Sequence, residues 1–299
     1  MRKRCTGWAY FARARGLCIL LAAALLWAIP AQSAACTLFA ACGAAVEGGG
    51  VLAVKNRDWR PEYQEMRLKP AGGGAYAYYG IYCGESPDPR KMRLRGGVNA
   101  QGLVAFTATV GVIDRDQRMA APQVKGGVIA ALLGSCSSVA EALERTEVFV
   151  RPQFLLLADR QEIAVIEVGP GGKRAVRRTG NGVLGHTNHY VLPEMLAENV
   201  RPPKASTLSR QARITRLLEE KALFTLQSFL ALAEDRHAGP DNSIFRTGST
   251  PRSTQTLAVL AVYLPPSGPF VIYTKVRRAP GAQGREEIQI LRSDGVFGE

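Results

Sequence analysis

The hydrophobic positions that follow residue 35 alternate with the period of a β-strand. A Glu-Gly-Gly-Gly turn at 47–50 separates this run from a second apolar run at 51–55. Alternation on both sides of a glycine-rich turn predicts a β-hairpin. Because a tight hairpin brings its far ends together, Cys36 should lie near the segment from Lys55 to Asp58. One face of the first strand carries every second residue: Cys36, Leu38, Ala40 and Cys42.

The same patterns predict the remaining elements. The segment 61–74 reads as a connection. Strands are predicted at 75–82, 93–98, 103–110, 154–158, 162–168, 175–178, 183–186, 257–264, 270–273 and 288–291. Helices are predicted at 125–133, 138–146, 206–221 and 226–234. Blocks of strands alternate with blocks of helices in this order, which favours an α+β fold with helices packed over antiparallel sheets.

The helix predicted at 206–221 has a partly periodic apolar face and an arginine-rich face. Leu208, Ile214, Leu217 and Leu218 form the apolar face. Arg210, Arg213 and Arg216 occupy the opposite one. Spacing of this kind predicts that the leucines pack on the sheet and that the arginines point away from it.

Residues 1–35 have the features of a secretory signal. A basic start is followed by an apolar run at 17–29, then by Pro30 and by small residues at Ser33 and Ala35. The apolar run is short for a membrane span. We therefore predict a signal peptide over 1–35, a single domain over 36–299, and export to the periplasm or beyond, with a signal peptidase as the maturation partner. A lipoprotein signal also ends before a cysteine, although Ser33 stands where that signal wants a large aliphatic residue.

Charge and cysteine usage exclude several classes of function. The formal charge of +13 falls to +8 once the five basic residues of 1–35 are removed. The remaining basic residues are dispersed and form no aromatic-interleaved stripe, so no nucleic-acid partner is predicted. No Cys/His spacing fits zinc, and we expect neither a metal nor a cofactor. If Cys36 stays free, the other cysteines of the mature chain form at most one disulfide: Cys42, Cys83 and Cys136.

Cleavage after Ala35 would leave a thiol and a free α-amine together on Cys36. A cysteine thiol titrates near 8.5 and an α-amine near 8, so the amine can take the thiol proton near neutral pH. Attack on an amide carbonyl then creates an oxyanion, which needs neutral donors held in place. Asn99 and Asn188 are the candidate donors. Asp58 is placed by the hairpin to orient the amine.

Four short motifs together resemble a known group of enzymes. They are Cys-Thr-Leu-Phe at 36–39, Lys-Asn-Arg-Asp-Trp at 55–59, Gly-Val-Asn-Ala-Gln-Gly-Leu at 97–103 and His-Thr-Asn-His-Tyr at 186–190. In this order they resemble the N-terminal nucleophile (Ntn) hydrolases. The nearer branches are the choloylglycine hydrolase and penicillin V acylase family and the acyl-CoA:6-aminopenicillanate acyltransferase family. The resemblance implies an αββα sandwich of two antiparallel sheets between helical layers.

The resemblance also implies roles for individual residues. Cys36 corresponds to the nucleophile, Asp58 to the hairpin aspartate, and Asn99 and Asn188 to the oxyanion and substrate-positioning asparagines. Arg246, which follows Ser243-Ile244, corresponds to a late arginine of the acyltransferase branch. Lys55 stands where bile-salt hydrolases carry an arginine, and with Arg57 it is a candidate substrate-binding residue. Thr207-Leu208-Ser209-Arg210 also resembles the acyltransferase branch, but serine followed by arginine is common where helices begin, so Arg210 is given no role.

Three functions are therefore weighed. The first is an exported amidohydrolase that cleaves a linear, non-peptide C–N bond of a small N-acyl amide through an acyl-thioester on Cys36. The second is an acyltransferase of the same fold with an amine as acceptor. The third is a lipid-anchored, non-enzymatic binding protein modified at Cys36. The acyl and amine groups of the substrate are left open, and so is the formation of a homo-oligomer.

Overall fold

The computed structural model describes residues 35–280 and 285–298. The predicted signal segment therefore lies outside the described residues, apart from Ala35. Two antiparallel sheets organise the rest of the chain. The first contains β1 (Ala35–Cys42), β2 (Val51–Trp59), β10 (Gly182–His186), β11 (Gln255–Leu264), β12 (Val271–Arg277) and β13 (Glu286–Arg292). Its strand order is β10-β1-β2-β11-β12-β13.

The second sheet runs in sequence order from β3 to β9. Its strands are β3 (Tyr63–Lys69), β4 (Tyr78–Gly84), β5 (Arg93–Asn99), β6 (Val104–Ala108), β7 (Gln153–Ala158), β8 (Ile163–Val168) and β9 (Arg174–Thr179). The helices are α1 (Arg115–Ala120), α2 (Val128–Ser135), α3 (Val139–Glu144), α4 (Ala205–Glu219), α5 (Leu226–Ala233), α6 (Gly239–Asn242) and α7 (Ser293–Phe297). No helix of the described ranges is long and apolar enough to cross a membrane.

Three apolar clusters define four layers. The first lies between the two sheets and includes Leu38 of β1 and Phe106 of β6. A second joins the far face of the second sheet to α2 and α3, and a third joins the far face of the first sheet to α4 and α5. The central strands of each sheet are thus covered on both faces, and the predicted α+β sandwich of αββα form is confirmed.

The hairpin of β1 and β2 forms as predicted. Its turn contains Gly48, Gly49 and Gly50, all with φ between 74° and 83°, a region that suits residues without a Cβ. In the register, Cys36 is opposite Arg57, and Ala35 is opposite Asp58. Opposed residues of an antiparallel pair share a face, so Cys36 and Arg57 point towards the second sheet. Ala35 and Asp58 point towards α4.

Two expectations about local structure are wrong. The connection predicted at 61–74 contains β3, which is the edge strand of the second sheet. Only Gln64 of this strand is buried, so its sequence lacks the apolar alternation of a core strand. On α4, Leu208 is 47% exposed whereas Arg210 is 1% exposed. The helix therefore turns its Thr207 and Arg210 side towards β1, not the side that carries Leu208.

Candidate active site

The sulfur and the nitrogen of Cys36 lie in different surroundings. The residue is buried at one end of β1. Its Sγ points between the sheets, where the Nζ of Lys55 lies 3.7 Å away. Its backbone nitrogen donates to Oδ1 of Asn188 at 2.9 Å. The fold thus holds the two groups of this residue with two separate partners.

Lys55 is the cation nearest to the thiol. It is fully buried on β2. Its Nζ donates hydrogen bonds to the carbonyl oxygen of Thr107 and to the sulfur of Cys36. Burial lowers the pKa of Lys55 from its ordinary 10.5, and the neighbouring charge of Cys36 opposes this effect. The side-chain nitrogen of Lys55 is thus held between the carbonyl oxygen of Thr107 and the sulfur of Cys36.

Arg57 shares the inner face of β2 with Lys55 but has a carboxylate partner. Its guanidinium group pairs with Glu62, and both side chains are buried. The Nη1 atom of Arg57 has no hydrogen-bond partner among the described residues. The substrate-binding roles predicted for Lys55 and Arg57 stay predictions, with both residues now placed on the face that carries Cys36.

Asn188 connects the cysteine to the rest of the site. It follows β10, and its Nδ2 donates to the carbonyl oxygen of Thr109 at 2.8 Å. Its backbone nitrogen donates to Oγ1 of Thr207 on α4 at 3.0 Å. Oδ1 accepts from Cys36 and also from Nη2 of Arg210 at 2.9 Å. These bonds define which side of the amide is oxygen and fix its position beside Cys36.

Arg210 was assigned no role from the sequence, yet it holds the end of β1. Its Nη1 donates to the carbonyl oxygen of Cys36 at 2.6 Å and to Oγ1 of Thr37 at 3.0 Å. Burial lowers the pKa of Arg210 to about 10, and the opposite charge of Asp58 limits the shift, so the guanidinium group is charged at neutral pH. The helix-start stretch 207–210, which resembles the acyltransferase branch, was the only signal for this residue.

Asp58 lies on the outer face with two arginines. Its Oδ1 accepts from Oγ1 of Thr256 at 2.8 Å, at a β-bulge in the pairing of β11 with β2. Burial raises the pKa of Asp58, and the charges of Arg210 and Arg246 oppose that rise. Oδ2 of Asp58 and two nitrogens of Arg246, Nε and Nη1, have no hydrogen-bond partner among the described residues. The predicted site residue Arg246 thus joins Asp58 on this face.

Asn99 is not brought to Cys36, which corrects its interpretation as an oxyanion donor. It lies on the face of β5 that packs against α2. Its Nδ2 donates to the carbonyl oxygens of Leu133 and Cys136, and its Oδ1 accepts from Gln101 and Leu103. All four bonds brace a turn and a helix end, which is the structural use expected of asparagine in a hairpin turn.

The remaining histidines and cysteines of interest are buried within the fold. His186 pairs with the buried Glu167 at 2.8 Å between the two sheets. Burial lowers the pKa of His189 to about 4, so its ring is neutral at pH 7. The cysteines of the described residues are all free and buried. Within these residues, no group of three His, Cys, Asp or Glu side chains has the arrangement of a metal site.

Comparison with known proteins places the chain in a family. The family model of acyl-coenzyme A:6-aminopenicillanic acid acyl-transferase matches residues 46–274. No curated protein gives a significant match.

Solved structures share the fold. A Cys-to-Ala mutant of the conjugated bile acid hydrolase from Clostridium perfringens superposes with a TM-score of 0.57 and 15% identity, over 86% of this chain and 92% of the other. An Arg-to-Leu variant of the same hydrolase gives 0.55 and 14%, over 88% and 94%. Since the family model covers most of the sequence, the chain belongs to the acyl-coenzyme A:6-aminopenicillanic acid acyl-transferase family and has the Ntn-hydrolase fold.

Proposed function

We propose that the protein is an amidohydrolase whose nucleophile is Cys36, made N-terminal by cleavage of the Ala35–Cys36 bond. The substrate is a small, linear N-acyl amide, and the products are a carboxylate and an amine. One observation carries this proposal: the nitrogen of Cys36 lies 2.9 Å from Asn188 Oδ1 while its sulfur lies 3.7 Å from Lys55 Nζ. The residue that would supply both the base and the nucleophile is thus held by a separate partner at each of these two atoms.

The first step is activation of the thiol. The peptide nitrogen of Cys36 stands in the position that the α-amine takes after cleavage. That amine accepts the thiol proton, and the ammonium group of Lys55 stabilises the resulting thiolate. Asn188 Oδ1 accepts a hydrogen bond from the amine and keeps it beside the sulfur.

Cleavage also changes the surroundings of Asp58. Ala35 is the residue directly opposite Asp58 in the register of β1 and β2. Its removal leaves the α-amine as the end of the strand next to a carboxylate that has one unpartnered oxygen. A carboxylate in this position favours the protonated amine, which is the form that later returns a proton to the leaving group.

The chemical steps follow from these positions. The thiolate attacks the amide carbon, and the charge that develops on oxygen is stabilised by Asn188, whose Nδ2 carries a second hydrogen besides the one bound to Thr109. The C–N bond then breaks, and the leaving amine takes the proton held by the α-amine. Water attacks the acyl-thioester, releases the carboxylate and restores the thiol.

The acceptor of the acyl group separates this function from its nearest alternative. The matched family is described as an acyl-transferase, which supports transfer to an amine. The solved structures with the same fold are of a hydrolase, which supports transfer to water. Incubation with an N-acyl amide and a competing amine decides between them, because a transferase forms the new amide in preference to the free acid.

The third candidate function is that of a lipid-anchored protein modified at Cys36. The burial of Cys36 disfavours this function. Cys36 is 7% exposed and is paired with Arg57 of β2 in the first sheet. A lipid on Sγ would have to fit into the packed space between the two sheets, towards which the sulfur points. Intact mass of the mature N-terminus tests this directly, since an added lipid at Cys36 would exclude the enzyme.

The central experiment uses the mature chain that begins at Cys36 and a panel of N-acyl amides. We expect Cys36→Ala to lose turnover by several orders of magnitude while keeping its fold. Cys42→Ala is the matched control, because Cys42 is buried on the same face of β1. One extra residue before Cys36 should also abolish turnover by displacing the base. Wild-type turnover in either Cys36→Ala or the extended chain would refute the proposal.

A further inference from the structure

The outer edge of β13 is a free strand edge. The strand pairs with β12 on one side through a regular register from Arg277 and Glu286 to Val271 and Arg292. It is the last strand of its sheet, and no described strand pairs with its other side. A regular edge presents a row of unpaired N–H and C=O groups that can template pairing with another strand.

This edge carries charged side chains only towards its two ends and lacks the other features that block such pairing. Native edges are protected by charged side chains, lysine above all, by proline or by a bulge. Residues 286–292 contain neither lysine nor proline, and the register with β12 has no shift. Instead the strand carries Ile288 and Ile290, which are 57% and 69% exposed. Both point away from the second sheet, since they are opposite Lys275 and Tyr273 of β12.

The outer face of β13 is complementary to the same face of a second, antiparallel copy of the strand. Its outer face reads Glu286, Ile288, Ile290, Arg292 along the strand. An antiparallel copy centred on Gln289 places Glu286 opposite the partner's Arg292 and Ile288 opposite the partner's Ile290. Opposite charges and β-branched pairs are the cross-strand contacts that stabilise antiparallel sheets. On this outer face, centring the pair on either isoleucine instead would set a charged residue against an isoleucine. On the inner face, the proposed register sets Glu287 opposite Leu291 of the second copy.

The charges at the ends of this edge are already part of local pairs. Glu286 lies 3.2 Å from Lys275 and 3.3 Å from Arg277, and Arg292 lies 2.9 Å from Asp294. A second copy would extend each pair into a network of alternating sign. Networks of several charges stabilise more than isolated exposed pairs do.

We propose that two copies of this chain associate through β13, antiparallel about a two-fold axis at Gln289, so that their six-stranded sheets become continuous. A C2 interface of this kind is self-complementary, as the reversed sequence requires. A pair of seven-residue strands is smaller than the interfaces of permanent dimers, so the dimer should dissociate on dilution. This inference does not depend on the proposed activity.

Cross-linking tests the register. In the proposed pair, Gln289 is opposite its own copy, with Cβ atoms about 4.5–5.5 Å apart. The full chain carrying Gln289→Cys should therefore form a covalent dimer under mild oxidation. Glu287→Cys is the matched control on the same strand and face. In the proposed pair, residue 287 of one copy lies four residues along the strand from residue 287 of the other. This distance of about 14 Å is beyond disulfide reach. The unsubstituted chain measures the background from the natural cysteines.

A second measurement tests the interface without cysteine chemistry. Light scattering across a dilution series should show a dimer for the wild-type chain and a monomer for Ile288→Lys/Ile290→Lys. Val200→Lys, at a residue that is 64% exposed outside the sheets, should keep the dimer, and circular dichroism should show that each variant is folded. Equal cross-linking of the Gln289→Cys and Glu287→Cys chains, or a monomeric wild-type chain at every concentration, would overturn the proposal.

Discussion

Replacing Arg210 by methionine tests whether this buried guanidinium group holds the N-terminal cysteine in place. Methionine keeps an unbranched side chain of similar reach but removes every donor. The change deletes four hydrogen bonds, to the carbonyl oxygen of Cys36, to Thr37 Oγ1, to Asn188 Oδ1 and to Ser206 Oγ. It also removes one of the two arginine charges that oppose the burial of Asp58.

The expected loss of stability follows from these contacts. Removing a buried charge that compensates another typically costs about 3–5 kcal/mol, and Arg210 compensates Asp58 through its charge and not through a direct ion pair. Arg246 remains near Asp58 and compensates part of its charge, which favours the lower end, about 3 kcal/mol. With a urea dependence of about 1–3 kcal/mol per molar, the unfolding midpoint should fall by on the order of 1 M.

Urea unfolding followed by circular dichroism gives the comparison, and Arg216→Met is the control. Arg216 lies on the same helix, is 55% exposed and pairs with Glu220 at 3.3 Å, so its loss should cost no more than about 0.5 kcal/mol. Turnover by folded Arg210→Met should also fall, because Asn188 Oδ1 and the carbonyl oxygen of Cys36 lose the donor that they share. Equal midpoints for the two variants would refute the organising role of Arg210.

Two further predictions concern Lys55 and Asn99. Because burial lowers the pKa of Lys55 below its unfolded value of 10.5, the unfolded chain binds more protons between the two values. Wild-type stability should therefore rise relative to Lys55→Met as pH increases through that window. Turnover of Lys55→Met should be lower at neutral pH. If the free energies of unfolding of the two chains change with pH in parallel, the lowered pKa of Lys55 is contradicted. Asn99→Ala leaves the carbonyl oxygens of Leu133 and Cys136 unsatisfied and should cost about 3 kcal/mol, with kcat of the folded enzyme unchanged. A loss of kcat without a loss of stability would instead restore a catalytic role for Asn99.

The hairpin and its consequences could be predicted from local sequence. Alternation and a glycine-rich turn predicted that β1 and β2 pair, and pairing alone brings the segment from Lys55 to Asp58 to Cys36. The block order of strands and helices predicted the layered α+β fold, because each element must bury its apolar face against another. The edge strand β3 was not predicted, because a strand with only one buried residue has little apolar alternation in its sequence.

What only the tertiary structure decided is which side of each element faces the site. In a four-layer sandwich the central strands, such as β1 and β2, are buried on both faces, so alternation cannot tell the inner face from the outer one. Lys55 therefore contacts the sulfur of Cys36, while Asp58, three residues later, lies on the outer face under the influence of the charges of Arg210 and Arg246. For the same reason the sequence did not reveal the role of Arg210. Its position on the helix predicted a solvent-exposed side chain, and only the rotation of α4 about its axis shows that the side chain is buried against β1. It also misplaced Asn99, because a turn asparagine and an oxyanion asparagine look alike until their four hydrogen bonds are seen.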